Sequence, residues 1–250
     1  MGQKKNAWVM FLLLSSSLTG CLSDDTSEST ISLVVDNGAY SWTLVESYSD
    51  GEKISTTNVS IDFDFSQTSA DNKLITYGID TMDGRSPVTT NADSNSVIRV
   101  EFYNHGIYNV SAYAIDEDNL QQHITIIIQI NLRIEWVESN THDPKKLTFD
   151  PKPANGGPNP KMIEVNSLVE NPSLIEDIGN GGQSVQITWN IVDEQNDVCQ
   201  RKTAQIEDGD SEIWYTIHFN TFQVHELTIT YEEGQDNINI NQSIAIIYDN

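Results

Sequence analysis

The sequence predicts an all-β protein with two tandem β-sandwich domains, and three features of the chain lead to that prediction. From Ile31 onward, β-branched and aromatic residues alternate with polar residues at a period of two. Clusters of Gly, Asn and Asp separate the alternating runs, as turns separate strands. No long amphipathic helical pattern interrupts the runs. Many short strands joined by turns favour a sandwich over a sheet with helical crossovers.

The first twenty residues have the layout of a signal peptide. Lys4 and Lys5 precede an apolar stretch over residues 7–14, and small residues then lead into Leu-Thr-Gly-Cys at 18–21. These last four residues resemble the lipobox of prokaryotic lipoproteins, which implies cleavage before Cys21 and lipidation of its sulfur. The apolar stretch is shorter than the ~20 residues that span a bilayer. We therefore expect residues 1–20 to be removed and the mature chain to be held at a membrane by its lipid alone.

A flexible tether is predicted over residues 21–30, because this segment is polar apart from Leu22. Leu22 stands where an Asp would resemble the inner-membrane retention signal of Gram-negative lipoproteins. That signal is therefore absent, and the type of membrane stays open. We expect a lipid-anchored protein at the cell surface or in another extracytoplasmic location.

The chain is strongly acidic, with 37 Asp and Glu residues against 13 Lys and Arg residues and a formal net charge of −24. A surface of this sign repels phosphate groups, so the charge argues against nucleic acid or anionic lipid as a partner. The charge is typical of a surface that stays soluble in salt or collects cations. No cofactor-binding motif is found, so no cofactor is predicted.

Disulfide bonds are not expected to stabilise the fold, because Cys199 has no intrachain partner once Cys21 is lipidated. The stability must then come from core burial, for which two domains of this size are large enough. No His or acidic base near Cys199 suggests a thiol nucleophile. We predict that Cys199 is a small residue in the core or at a sheet edge.

A boundary between the two domains is predicted near Arg133. The alternating run from Ile124 to Trp136 is longer than an ordinary strand of ~5 or 6 residues, so it is interpreted as the last strand of one domain passing directly into the first strand of the next. Domain one then spans residues 31–133 and domain two spans residues 134–250. Because no flexible linker intervenes, a restrained angle between the domains is expected.

Domain two is predicted to contain a long irregular loop over residues 140–160. This stretch holds most of the seven prolines, together with Asn155-Gly156-Gly157. A loop of this length either contributes to a binding site or serves as an exposed connector.

Two blocks in domain one carry a recognisable motif. The first is Tyr77-Gly78-Ile79-Asp80-Thr81-Met82-Asp83-Gly84, and the second is Gly106-Ile107-Tyr108-Asn109-Val110. They resemble the PKD (polycystic kidney disease) domain family, whose hallmarks are Tyr-x-Trp-Asp-Phe-Gly-Asp-Gly and a Gly-x-Tyr-x-Val strand. Ile79, Thr81 and Met82 depart from the first hallmark, which marks a divergent member. The resemblance covers about residues 31–133 and implies an immunoglobulin-like sandwich of the kind found in extracellular proteins.

The residues of these blocks have structural interpretations of their own. Tyr108 is placed as a tyrosine corner, with a buried ring and a hydroxyl bonded to the backbone. Asp80, Asp83 and Gly84 suit a tight hairpin, in which Asp accepts hydrogen bonds from backbone amides and Gly takes positive φ. All of these roles are structural rather than catalytic.

Domain two is predicted to be a second immunoglobulin-like or PKD-like sandwich. Residues 187–191 parallel residues 75–79 at an offset of 112, and residues 224–227 parallel residues 107–110 at an offset of 117. This alignment places His225 where the corner Tyr is expected. His225-Glu226 begins like a zinc-protease motif, but Ile229 stands where the second His ligand is required.

The remaining polar residues include candidate metal ligands and glycosylation acceptors. Residues 116–119, with Asp62 and Asp64, offer oxygen ligands for calcium, although Leu120 breaks the EF-hand spacing and a solvated turn is the alternative. No metal site is predicted. Three sequons are candidate glycosylation sites if the host modifies exported proteins; they begin at Asn58, Asn109 and Asn241.

The anchor, the resemblance and the lack of a catalytic motif together predict a noncatalytic, surface-anchored lipoprotein. Such a protein acts as a binding, adhesion or spacer module, with a surface protein or a glycan as its partner. One alternative is an accessory subunit of an exported hydrolase. Another is a transporter-associated solute-binding lipoprotein, which usually has the α/β alternation that this sequence lacks.

Overall fold

The chain folds into strands only, as shown by a computed structural model that describes residues 29–173, 182–234 and 237–249. The all-β sandwich prediction is confirmed, and no α-helix occurs in these residues. None of their segments forms an apolar helix able to cross a membrane. The predicted signal peptide, with Cys21, lies outside the described residues. The strands are β1 (Ile31–Ser32), β2 (Ser41–Ser49), β3 (Glu52–Thr57), β4 (Val59–Asp64), β5 (Ser69–Ala70), β6 (Leu74–Asp80), β7 (Val88–Asn91), β8 (Val97–Phe102), β9 (Gly106–Asp116), β10 (Gln121–Thr141), β11 (Leu147–Phe149), β12 (Met162–Glu170), β13 (Val185–Asp193), β14 (Val198–Ile206), β15 (Ser211–His218), β16 (His225–Glu233) and β17 (Ile238–Ile247).

One large sheet runs through both halves of the chain. Seven of its nine strands follow the order β15-β12-β17-β10-β9-β6-β7. The other two are β2, which pairs with the other edge of β10, and β3, which pairs with β2. A four-stranded sheet has the order β11-β16-β13-β14, and β4 pairs with β8 in a smaller sheet. Both smaller sheets pack against the large sheet, which produces the sandwich layers.

Strand β10 is the element that both halves share. Residues 121–130 pair with β9, and residues 132–141 pair with β17 along the same edge. On the opposite edge, β2 runs parallel to residues 129–137 and so bridges the two halves. The run that was predicted to pass from one domain to the other is therefore one continuous strand. The boundary near Arg133 and the restrained interdomain angle stay predictions.

Aromatic side chains fill the space between the layers in the first half. Phe65 of the segment after β4 stacks on Tyr77 of β6 at 4.7 Å between ring centroids. Phe102 of β8 meets Tyr108 of β9 edge to face at 4.9 Å. Each fully buried aromatic ring contributes roughly 2–3 kcal/mol through the area that it removes from water. These contacts hold the small sheet on the large one.

The second half is centred on Trp189 of β13, which is fully buried. Its indole Nε1 donates a hydrogen bond to Ser167 Oγ of β12 at 2.9 Å. The buried polar atoms of both side chains are thus paired, and the bond joins the four-stranded sheet to the nine-stranded sheet.

The loop predicted over residues 140–160 is less irregular than expected. Strand β10 extends to Thr141, and β11 occupies residues 147–149. Leu147 and Phe149 are buried, because their alternation with Thr148 directs both side chains into the core. The Pro-rich remainder folds back on the first half, where Asn155 Nδ2 donates to the Ile107 carbonyl at 2.9 Å.

Candidate functional site

The turn after β6 has the geometry that its residues predict. Asp80 Oδ1 accepts a hydrogen bond from the Met82 amide at 2.8 Å, and Gly84 has a φ of +91°. Asp83 accepts from Thr81 Oγ1 at 2.7 Å and forms an ion pair with Arg85. Burial acts to raise the pKa of Asp83, but the hydrogen bonds from Arg85 and Thr81 outweigh it and lower the pKa. Asp80, Thr81 and Asp83 thus stabilise the turn itself, and Arg85 also joins it to β8 by donating to the Glu101 carbonyl at 2.7 Å.

Tyr108 forms the predicted tyrosine corner. Its ring is buried, and its hydroxyl donates to the Asn104 backbone carbonyl at 2.8 Å. Burial raises the pKa of Tyr108 to about 12, so the hydroxyl keeps its proton at neutral pH. The prediction for this residue is confirmed.

His225 occupies the corresponding position in the second half. It starts β16, is fully buried, and donates from Nε2 to the Asn220 backbone carbonyl at 2.9 Å. Ile229 lies within the same strand and packs in the core. The zinc-protease helix is therefore excluded at this position, as the sequence predicted.

The acidic residues considered for calcium serve the local structure. Asp116 is buried, and its Oδ1 accepts from the amides of Asp118 and Leu120 at 3.0 and 2.8 Å. Both carboxylate oxygens of Asp62 accept from Arg99 at 2.7 Å, and this hydrogen bonding lowers the pKa of Asp62. These contacts give both carboxylates roles in the local structure.

The three sequon asparagines all lie on the surface of the described chain. Asn58 lies between β3 and β4, Asn109 lies in β9 and Asn241 lies in β17, and each side chain is exposed. Their modification stays a prediction.

A shallow groove of about 530 Å³ lies on the outer face of the four-stranded sheet. In β13 and β16, the residues that alternate with the core face outward, and register pairs Asn190 with Thr228 and Thr188 with Thr230. The segment after β10 forms one wall, and the β13–β14 turn forms the other. The lining residues are His142, Asp143, Pro144, Lys146, Asn190, Val192, Asn196, Val198, Glu226, Thr228, Ile229, Thr230 and Tyr231.

The groove floor is polar and is held in place by ordered contacts. Lys146 Nζ forms an ion pair with Glu226 Oε2 at 3.0 Å. Arg201 Nε donates to Asn190 Oδ1 at 2.8 Å, which assigns the amide nitrogen as the donating end of that side chain. The groove lining thus combines hydroxyls and the nearly buried Asn190 amide with an ammonium and a carboxylate that pair with each other. The wall segment belongs to the loop over residues 140–160, for which the sequence analysis considered a binding role. The positions of the floor residues depend on strand pairing, which the sequence does not reveal.

Cys199 has neighbours in the fold that its sequence surroundings do not show. It lies on the edge strand β14 and is exposed, while His218 and His225 lie beside it. Burial raises the pKa of Cys199, and nearby Asp193 and Asp197 act in the same direction. Burial and the proximity of His225 lower the pKa of His218. Only the spacing of the two histidines, with six residues between them, hints at this arrangement in the sequence.

No known protein family and no curated protein matches this sequence. A solved structure of carbohydrate-binding modules from the β-sandwich superfamily is similar at 10% identity and a TM-score of 0.33, covering 85% of this chain and 95% of that chain. An Arthrobacter globiformis T6 isomalto-dextranase complexed with panose is similar at 7% identity and a TM-score of 0.28, covering 76% and 33%. Bacteroides uniformis β-glucuronidase 2 is similar at 9% identity and a TM-score of 0.29, and the match covers 86% of this chain and 30% of that chain. This chain therefore spans about a third of the two enzymes, and TM-scores this low assign it no function.

Proposed function

We propose that this protein is a noncatalytic binding module that takes a neutral glycan in the groove on its four-stranded sheet. The observation that carries the proposal is the groove of about 530 Å³ with a polar floor built on paired strands. Asn190 and Thr228 stand opposite each other in the register, so their polar groups are held at a fixed spacing. A preorganised set of donors and acceptors is what recognition of vicinal hydroxyl groups requires.

The charges of the groove favour an uncharged, hydroxyl-rich ligand. Glu226 accepts hydrogen bonds from sugar hydroxyls, and Lys146 and the Asn190 amide donate to them. Val198 is exposed, borders the same groove and offers a small apolar surface to the C–H face of a sugar ring. The net charge of −24 repels uronic acids and sulfated glycans.

The module is further proposed to work outside the cytoplasm, held to a membrane through the lipid on Cys21. The support is the Leu-Thr-Gly-Cys sequence after an apolar stretch, with a polar segment before the first strand. The PKD-like motif of the first half agrees with an extracellular role. In this arrangement, the first half and β10 form a scaffold that holds the groove away from the membrane.

Binding to an array of neutral and anionic glycans tests the proposed ligand. The wild-type chain is expected to retain a subset of the neutral glycans. Removing one charged partner or one hydroxyl from the floor, by Glu226→Gln or Thr228→Val, is expected to weaken that binding about tenfold or more.

Glu164→Gln and Thr43→Val make the same chemical changes on β12 and β2, outside the groove, and serve as matched controls. They are expected to bind as the wild type does. Equal loss in the groove and control variants, or binding of anionic glycans only, would contradict the proposed site.

A further inference from the structure

Three potential metal ligands converge at one end of the second half. Cys199 lies in β14, His218 ends β15 and His225 starts β16. One ligand atom from each residue lies within 4.8 Å of the other two, and the rings of the two histidines meet edge to face at 4.6 Å. β15 belongs to the nine-stranded sheet, whereas β14 and β16 belong to the four-stranded sheet. The cluster therefore spans the two layers of the sandwich.

His225 is already arranged as a metal ligand. A backbone carbonyl only accepts, so the bond from Nε2 to Asn220 requires the proton on Nε2. The lone pair of the neutral ring then lies on Nδ1, which is buried without a hydrogen-bond partner. Donation from one ring nitrogen to a carbonyl, with the other nitrogen free, is the usual environment of a ligating histidine.

His218 has a second buried ring nitrogen without a partner. Its Nε2 is unpaired, and the side chain is only 7% exposed. Gln200 Nε2 lies 3.4 Å from Nδ1, at the long limit of a hydrogen bond, and an amide nitrogen only donates. Metal binding through Nε2 therefore moves the ring proton to Nδ1 and gives up this weak contact. A buried polar atom left unpaired costs about 1–3 kcal/mol. Two such nitrogens on adjacent rings therefore point to a shared bound group.

Cys199 is directed toward the histidines by a β-bulge. Ile191 pairs with Gln200 and Val192 pairs with Val198, so Cys199 is the extra residue between them. A bulge redirects one side chain without ending the strand. Because Cys199 is also exposed, the bulge provides an entry path from solvent to the buried nitrogens.

We propose that Cys199, His218 and His225 bind a Zn²⁺ ion, with a water molecule or an external ligand in the fourth position. One thiolate and two imidazoles form a typical zinc ligand set, and the exposed side of the cluster leaves the fourth position open. Zinc bonds of about 2.0–2.3 Å in a tetrahedron place the ligand atoms about 3.6 Å apart or less. The three atoms therefore draw together by roughly 1 Å on binding, which the exposed Cys199 side chain accommodates.

A single water molecule is the competing occupant, because it also hydrogen-bonds to two ring nitrogens. The thiol separates the two cases, since a water bridge between the histidines does not need Cys199. The experiment uses the full chain carrying Cys21→Ser in mild detergent, so that Cys199 is its only thiol. Co²⁺ is the optical probe, and Zn²⁺ is measured by competition with a chromophoric chelator.

One equivalent of Co²⁺ is expected to give a thiolate-to-metal absorption band that Zn²⁺ abolishes. Cys199→Ser is expected to lose the band and to weaken Zn²⁺ binding at least about tenfold. His123→Gln, which changes an exposed histidine of β10, is expected to change neither. Zinc binding that Cys199→Ser leaves unchanged, or the absence of any thiolate band, would overturn the proposal.

A second measurement needs no variant. Stoichiometric Zn²⁺ is expected to protect Cys199 from alkylation by iodoacetamide, and a chelator is expected to restore the reaction. Alkylation at the same rate with and without Zn²⁺ would show that the thiol is not a ligand.

Discussion

Tyr108 and His225 make the same hydrogen bond in the two halves of the protein. The Tyr108 hydroxyl donates to the Asn104 carbonyl at 2.8 Å, and His225 Nε2 donates to the Asn220 carbonyl at 2.9 Å. Each residue lies at the start of a strand that pairs with a central strand, β6 or β13. The imidazole keeps the donor of the tyrosine corner and adds a second nitrogen, which lies next to His218. This second nitrogen is the one that the proposed zinc site uses.

The tyrosine corner is expected to depend on the hydroxyl group of Tyr108. Tyr108→Phe leaves the Asn104 carbonyl without this donor and is expected to lower the free energy of unfolding by about 1–2 kcal/mol. Urea unfolding monitored by tryptophan fluorescence measures the change. Tyr103→Phe is the matched control, because that hydroxyl is exposed and bonds only to the Glu101 side chain. Similar losses for the two variants would contradict the corner role.

Gly78 is predicted to be required for stability, because the Tyr113 ring lies where a side chain at position 78 would be. A Cβ atom at Gly78 would lie 2.1 Å from the Tyr113 ring, so Gly78→Ala is expected to destabilise the protein by about 1–3 kcal/mol. In a Tyr113→Ala background the same change is expected to be neutral or slightly stabilising, since Ala restricts the unfolded chain. A double-mutant cycle from urea unfolding measures the coupling. Additive effects would show that the ring is not the obstacle.

His105 is expected to make the junction between the halves sensitive to acid. Its Nδ1 lies 2.7 Å from the Tyr248 hydroxyl, and burial lowers the pKa of His105, with the Asp150 backbone bond offsetting part of the effect. Below about pH 6.5 the unfolded chain takes up a proton that the folded chain resists. The contribution of His105 is therefore present at neutral pH and is lost as the pH falls below this value.

The variant His105→Gln tests this direction of the pH dependence, because a glutamine side chain does not titrate. The wild type is expected to lose more unfolding free energy between about pH 7 and pH 5 than the variant does. His123→Gln is the control for the loss of an exposed histidine. If the His105→Gln variant lost as much unfolding free energy as the wild type, the acid sensitivity would come from a group other than His105.

The membrane anchor is expected to depend on Cys21 alone. Cys21→Ser is expected to release the protein from the membrane fraction and to abolish the mass added by lipid, because one thioether holds the acyl groups. Cell fractionation and intact-mass measurement check both results. Cys199→Ser is the matched control and is expected to stay in the membrane. Retention of the Cys21→Ser protein in the membrane would reject the proposed lipoprotein topology.

The sequence by itself determined that the long alternating runs are strands and how several turns close, whereas strand β11 lies in a segment that was predicted to be an irregular loop. Side chains alternate across a strand at every second residue, so the pattern from Ile124 to Trp136 specifies a two-faced strand locally. Asp80, Gly84 and Tyr108 act within a few residues of their partners, and their roles were predictable for that reason.

Only the tertiary structure decided how distant strands pair. The parallel alignment of β2 with β10 joins residues about ninety positions apart, and the capture of β11 by the small sheet depends on where β16 lies. The groove floor and the cluster of Cys199, His218 and His225 arise from the same register between strands. Register is a property of two strands together, because each alternating pattern is compatible with several partners until the core is packed.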